Sequence, residues 1–283
     1  MACPQLSWRH LANICHVNSV ITGWQGGNVN MLRIDLNSDI GEGFGPYRCG
    51  DDEAMLSIVS SANVACGLHA GDPEIMARTF SEAARRGVAV GAHPGFPDLW
   101  GFGRRRIPFT VGEIERLVAY QTGAAQGLAH YAGHRITYVK VHGALSNIAE
   151  TEAPVAEAIV RAVKAVDPSL MLLVIARSEL VVAAERAGIR WAAEVFADRG
   201  YDDDGRLIAR GLPGAFVTDP VEAADRALAM VDAGALITAG GLYLETPVSS
   251  VCVHGDTAHA VDMARCVRER LEAGGYVIAP FSV

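Results

Sequence analysis

From residue 31 onward the chain alternates short runs of β-branched and aliphatic residues with longer stretches whose apolar positions recur at helical spacing. Met31–Leu36, Ala62–Cys66, Val88–Ala92, Thr137–Val141, Leu170–Ile175, Trp191–Phe196, Ser250–Val253 and a short Tyr276–Ile278 read as strands. Pro73–Arg86, Val111–Ala129, Glu152–Val166, Ser178–Ala187, Pro220–Ala233 and Thr257–Ala273 read as helices. Boundary residues support these spans. Pro73 suits a first turn and Gly87 lies just past the end of the same stretch. Thr110, followed three residues later by Glu113, has the spacing of a capping box. Asp167-Pro168 stops one helix, Gly188 ends another and Gly274-Gly275 a third. Strand and helix alternating at this spacing predict an α/β fold, a parallel sheet covered by helices. About seven strands are each followed by a helix, and no GxGxxG turn follows the first, which disfavours an open dinucleotide-binding sheet. Roughly 250 residues from Met31 suit one (β/α) TIM-like barrel. No repeat, low-complexity stretch or linker divides 31–283, so this span is expected to be a single catalytic domain.

Residues 1–30 lack that pattern. Their apolar stretch, Ile14 to Trp24, is interrupted by His16, Asn18 and Gly23, and no cleavable leader pattern follows. They are expected to be a poorly ordered N-terminal extension. The net charge of -8 and a pI near 5.6 leave no basic field for nucleic acid. No apolar run is long enough for a membrane span. Six cysteines without a CxxC pair read as thiols of a cytoplasmic protein.

Chemistry collects just after the predicted strands. Asp35, Asn37, Asp39 and Glu42 follow the first, and His69 and Asp72 the second. His93 follows the third, Lys140 and His142 end the fourth, and Asn147 lies soon after. Glu194, Asp198 and Arg199 come from EVFADR, and His254 and Asp256 from CVHGD. In a parallel barrel these groups converge on one mouth, where such folds place their active sites. The Asp35-x-Asn37-x-Asp39 run starts like a calcium loop, but Ile40 stands where glycine is needed and Pro46 where glutamate is needed. Arg104 and Arg105 could clamp a carboxylate or phosphate, or form a solvated loop. Asp202-Asp203-Asp204-Gly205 reads as an exposed turn, and Cys66 and Cys252 as inert packing.

The blocks DLNSDIGEGFG, NVACGLHAGDP, GAHPGFPDLWGFGRR, VKVHGALSN, EVFADRGY and CVHGD, in order from Met31 to about Phe281, closely resemble the LamB/YcsF family. Val141 and Ser146 depart from that pattern, where proline and tyrosine are expected. The resemblance implies a distorted barrel of about seven strands, related to glycoside hydrolase and deacetylase barrels. It also implies the A component of an ATP-hydrolysing 5-oxoprolinase, working with subunits B and C to open 5-oxoproline to L-glutamate. A lactam is a stable amide, and phosphorylation of its oxygen by ATP would make it a better electrophile. No GxxxxGK[ST] loop is present, so ATP is expected to be handled chiefly by the partner subunits.

On this reading Asp35, Asp39, His69, Lys140 and His142 form the catalytic centre, with Lys140 as electrostatic stabiliser. Asn37, Glu42, Asp72, His93, Arg104, Arg105, Asn147, Glu194, Asp198, Arg199, His254 and Asp256 line the substrate site. Asp39, His69 and His142 could hold one divalent ion, zinc or similar. Two rivals use the same mouth: a metal-dependent deacetylase of an N-acetylated sugar, and a non-catalytic component that only binds lactam or sugar.

Overall fold

The computed structural model describes residues 32–257 and 259–282. The extension expected over residues 1–30 lies outside them. In chain order, β1 (Leu32–Ile40), α1 (Asp52–Leu56), β2 (Ser61–Ala65), α2 (Pro73–Arg86), β3 (Ala89–His93), α3 (Val111–Tyr131) and β4 (Ile136–Val139) make the first half. Then come α4 (Gly143–Thr151), α5 (Ala153–Val166), β5 (Met171–Ile175), α6 (Glu179–Ala187), β6 (Trp191–Phe196) and α7 (Pro220–Ala233). The chain closes with β7 (Ala235–Ile237), β8 (Tyr243–Glu245), β9 (Ser250–Cys252), α8 (Ala260–Ala273) and β10 (Tyr276–Ile278).

Strands β1 to β6 and β9 pair in parallel in the order β1-β2-β3-β4-β5-β6-β9, and β9 returns to β1. This is a closed seven-stranded barrel, the architecture the alternation predicts. Its seam is shared. Asp35–Asn37 of β1 pair with Ser250–Cys252 of β9, while Leu32–Ile34, one step lower, pair with Tyr276–Ile278 of β10. β7 and β8 form a separate antiparallel pair.

Local chemistry sets the helix ends. Thr110 and Glu113 form the capping box that starts α3. Gly87 ends α2 at φ 68°, a left-handed conformation that costs other residues more. Pro154 has no N–H with which to extend α4, so α5 begins as a new helix after Glu152. The 3.6-residue pattern over Glu152–Val166 shows only the second of these helices. α1, β7 and β8 were also not anticipated, being five residues or fewer.

The largest difference is β1, which runs four residues beyond its expected end at Leu36. Asn37, Ser38 and Asp39 are polar enough to suggest a turn, yet they pair with Ser61–Asn63 of β2. Alternation along the strand explains this. Ile34, Leu36 and Ile40 join the apolar core, while Asp35, Asn37 and Asp39 bond to groups on other strands. The barrel interior is therefore lined by polar side chains, unlike the branched apolar layers usual in such barrels. No helix of the described residues is long and apolar enough to cross a membrane.

Candidate active site

Three polar layers fill the barrel from its base to its mouth. At the base, Asp35 accepts hydrogen bonds from Ser60 (2.7 Å), Ser61 (2.6 Å) and Ser250. Burial pushes its carboxyl up to about 6, although the three hydroxyls pull the other way. Asp35 thus lies beneath the mouth, and its contacts are with the framework.

The middle layer is a relay of amides. Tyr138 donates to Asn63 Oδ1 (2.7 Å), and Asn63 Nδ2 donates to Asn37 Oδ1 (2.8 Å) and Asp39 Oδ1 (2.9 Å). Asn37 Nδ2 donates to Ser250 Oγ (2.7 Å) and Glu194 (3.3 Å). Gly91 makes room for this: a Cβ there would collide with the Tyr138 ring.

Above it stands Lys140, just past β4. Its Nζ meets Glu194 (2.9 Å), Asp39 Oδ1 (3.2 Å), Asn37 Oδ1 (3.3 Å) and Cys252 Sγ (3.2 Å). Burial alone would drive the ammonium to lose its proton, but Asp39, Cys252 and Glu194 outweigh it and hold the pKa well above the ordinary lysine value. Burial likewise opposes ionisation of Asp39, but His93 and Lys140 keep its carboxyl well below the usual range. Asp39 is therefore a buried anion. Burial pushes the Cys252 thiol up, consistent with an inert thiol.

Beside Asp39 lie three imidazoles. His93 ends β3, His142 precedes α4, and His69 comes from the loop after β2. Carbonyl oxygens only accept, so two contacts place protons. His93 Nδ1 donates to Lys140 O (2.7 Å), and His142 Nε2 donates to Phe102 O (2.8 Å). For neutral rings, the remaining lone pairs of His93 Nε2 and His142 Nδ1 face each other at 3.0 Å. Glu42 Oε1 sits 3.6 Å from His142 Nδ1 and 3.7 Å from His69 Nε2. Glu42 Oε1 and both His69 nitrogens are buried without a hydrogen-bond partner. Burial, then repulsion among the rings, holds the His69 and His142 pKa values well below the ordinary histidine value. Burial, with Asp39 and Asp256 adding to it, raises Glu42 well above its usual value. The donor atoms of Glu42, His69, His93 and His142 all lie within 4.8 Å of one another, so these four residues could hold a metal ion.

Glycines fix the rings. His69 and His142 stack with centroids 3.7 Å apart. A Cβ on Gly95 would come within 2.7 Å of His69 Nδ1, and one on Gly103 within 2.7 Å of His69 Cβ and 2.9 Å of His142.

A cavity of about 480 Å³ opens over this floor, with Asp39, His93, Lys140 and His142 at its base. Asn147, Arg199, His254 and Arg104 also line it. His254 Nδ1 contacts Asp198 (2.8 Å), and Arg104 pairs with Asp256 (2.6 Å). Two residues expected in the substrate site are not brought there. Asp72 caps α2, accepting from Glu74 N and Ile75 N (2.9 Å each), and takes Gly45 N (2.7 Å) on its other oxygen. Arg105 forks onto Asp98, with its side chain 67 % exposed. The expected clamp therefore keeps only Arg104. Arg199, though in the cavity wall, spends its guanidinium on Ala215 O (2.9 Å) and Ile208 O (2.7 Å).

Sequence reasoning missed Asn63, Tyr138, Ser250, Glu150, Arg206 and Arg210. Asn63 had a usable signal, an amide in the middle of an apolar strand. Arg206 and Arg210 come from the long loop after β6 and reach the cavity wall only through its folding.

Residues 34–283 match the sequence profile of the LamB/YcsF family. The chain is 66% identical over 252 residues to a protein of Azorhizobium caulinodans named as the A component of 5-oxoprolinase, covering 89% of this chain and all of that one. It is 56% identical over 245 residues to a protein of the same name from Gluconobacter oxydans, covering 87% of this chain and 96% of that one. Among solved structures it is similar to the lactam utilization protein of Thermus thermophilus, with a TM-score of 0.84 and 41% identity, covering 88% of this chain and all of that one.

Proposed function

Because this chain belongs to the LamB/YcsF family, we propose that it is the A component of a 5-oxoprolinase, opening 5-oxo-L-proline to L-glutamate. The observation that carries this reading is the full-length similarity to proteins of that name, joined to a buried proton-transfer centre under a cavity of about 480 Å³, ample for a lactam. Its partners are subunits B and C, its co-substrate is ATP, and its centre has donors suited to a divalent cation. The free thiols Cys49, Cys66, Cys252 and Cys266 suit a reducing cytoplasm.

Roles follow from the contacts. Asp39 is the general base on geometry: it lines the cavity, and its Oδ2 faces the imidazoles 3.3 Å from His93 Nε2. Water entering the cavity gives its proton to Asp39 as its oxygen adds to the ring carbonyl carbon of the lactam. The C–N bond then breaks as the nitrogen takes that proton from Asp39 and leaves as the amine, and the carboxyl phosphate left on the opened chain is hydrolysed by a second water to the carboxylate and inorganic phosphate. Phosphorylation of the lactam oxygen by ATP, on the partner subunits, precedes this and makes that carbon electrophilic. Lys140 acts by charge, because its Nζ is already surrounded by acceptors on Glu194, Asp39, Asn37 and Cys252. His142 and His93 border the reacting atoms, and Arg104 faces the substrate carboxylate. A cation held by Glu42 and the three histidines would supply Lewis-acid polarisation of oxygen. Asp35, Asn37 and Glu194 position Lys140 and Asp39 without touching substrate.

The test is glutamate release from 5-oxoproline and ATP by this chain with and without subunits B and C. Release is expected only from all three, and is lost in His142→Ala. Undiminished turnover by His142→Ala would reduce the role of this chain to ligand binding. No release in any combination, with deacetylation of an N-acetylated sugar in metal-supplemented buffer, would establish the deacetylase instead.

A further inference from the structure

We propose that Glu42, His69, His93 and His142 form a divalent-cation site of the zinc class, with Asp39 beside it but not among its ligands. The expected trio of Asp39, His69 and His142 is thereby replaced by a larger set.

The argument starts from protons. His93 and His142 each spend their N–H on a backbone carbonyl, which aims two lone pairs at one point from 3.0 Å apart. Two lone pairs at that distance repel unless a cation lies between them. A shared proton would satisfy this pair alone. It would leave Glu42 Oε1 and both nitrogens of His69 buried and unpartnered, an arrangement native proteins rarely tolerate. One metal ion would take a lone pair from each of Glu42, His93 and His142 and from one His69 nitrogen, that ring turning from its stack on His142 to do so.

The spacing agrees. Donors about 2.0–2.2 Å from a tetrahedral ion stand about 3.3–3.6 Å from one another. The observed separations are 3.0 Å for His93–His142, 3.6 Å for Glu42–His142 and 3.7 Å for Glu42–His69. The outer contacts agree as well. Metal-bound histidines usually donate their second N–H to a carbonyl or carboxylate, which fixes tautomer and ring orientation. Lys140 O and Phe102 O do this for His93 and His142. Gly95 and Gly103 leave the space that His69 occupies, since a Cβ at either would collide with it. Three neutral imidazoles and one carboxylate suit zinc and its borderline neighbours better than calcium or magnesium. Asp39 Oδ1 takes Lys140 and Asn63, and its Oδ2, though 3.3 Å from His93 Nε2, is not part of the group of donors that all lie within 4.8 Å of one another. His93 and His142 border the cavity, so the ion would be reachable from the substrate side.

The assignment does not rest on lactam turnover. The chain alone is stripped with a chelator, dialysed against zinc or cobalt(II) chloride, and its metal counted by mass spectrometry. About one equivalent is expected, with visible cobalt bands typical of low-coordinate nitrogen and oxygen ligation and a zinc-dependent rise in Tm. Glu42→Gln and His93→Ala, checked for fold by circular dichroism, should each retain less than about one tenth of that metal. Asp39→Asn should retain all of it. Wild-type protein that stays folded and binds less than about a tenth of an equivalent would overturn the site, as would a deshielded imidazole N–H resonance shared by His93 and His142 that survives zinc. Metal loss in Asp39→Asn would overturn the ligand set. Should a variant fail to fold, the wild-type count and cobalt spectrum still decide. Absent glutamate release would leave the metal count untouched, and an absent metal would leave the lactam reading standing.

Discussion

Removal of the Lys140 charge would expose how the barrel centre is held together. Nζ lies 2.9 Å from Glu194 and 3.2 Å from Asp39. At an effective dielectric near 20 these contacts correspond to gross attractions of about 5 to 6 kcal/mol each. Desolvation of three buried charges offsets most of that. Lys140→Met removes the cation and leaves both carboxylates buried beside each other. Breaking a buried pair in this way costs about 3–5 kcal/mol, which for a domain of this size lowers Tm by about 10 °C. Urea unfolding followed by far-UV circular dichroism measures it. In Lys140→Met/Glu194→Gln one stranded charge is gone, so the double variant should be about 2 kcal/mol more stable than the sum of the singles predicts. A loss below about 1 kcal/mol for Lys140→Met, or strict additivity in the cycle, would refute the reasoning and mean that water or relaxation screens the site.

Asp39→Asn should lower glutamate release by the assembled complex about 100-fold to 10,000-fold, as expected for loss of a general base; a smaller effect would move that role to another group. Asp35 gives a pH signature. Its folded pKa of about 6 is above the unfolded value of 3.8, so its contribution to stability is full below the lower value and lost as pH rises through the upper one. Between pH 5 and pH 7 this amounts to about 1 kcal/mol, and Asp35→Asn should flatten that part of the urea-midpoint profile; an unchanged slope would contradict the shift. Gly91→Ala forces Tyr138 out of its place and should cost about 1–3 kcal/mol while weakening activity through Asn63; neutral stability would show that the ring has room to move.

The parts of this site that were readable in the sequence are those fixed by chain position. His93, Lys140 and His142 sit at strand ends, where a parallel barrel must present them, and β-branched runs mark six of the seven barrel strands well. Reading failed where a residue's neighbours come from far along the chain. Asn37 and Asp39 look like turn residues until Asn63, Tyr138 and Lys140 surround them. Glu42 could be placed near the mouth, but its grouping with His69, His93 and His142 depends on three separate loops. Asp72 and Arg105 failed for the opposite reason: nearby partners, a helix start and Asp98, satisfy them before they can reach the cavity. Arg206 and Arg210 depend on the folding of a long loop that periodicity does not describe.

The shared seam of β1 has a consequence for synthesis. Its partners on that side, Ser250–Cys252 and Tyr276–Ile278, lie in the last part of the chain. At about 5–20 residues per second they follow β1 from the ribosome by roughly 10–40 s. For that time the strand has an open edge, the kind that recruits other chains into aggregates. The carboxylates and amide that later fill the barrel, Asp35, Asn37 and Asp39, are also inward-pointing polar groups of the type that protects such an edge. Variants that replace them with apolar residues should therefore give low soluble yield before any activity is measured, and co-expression with a chaperone should recover more of them than of variants at His142.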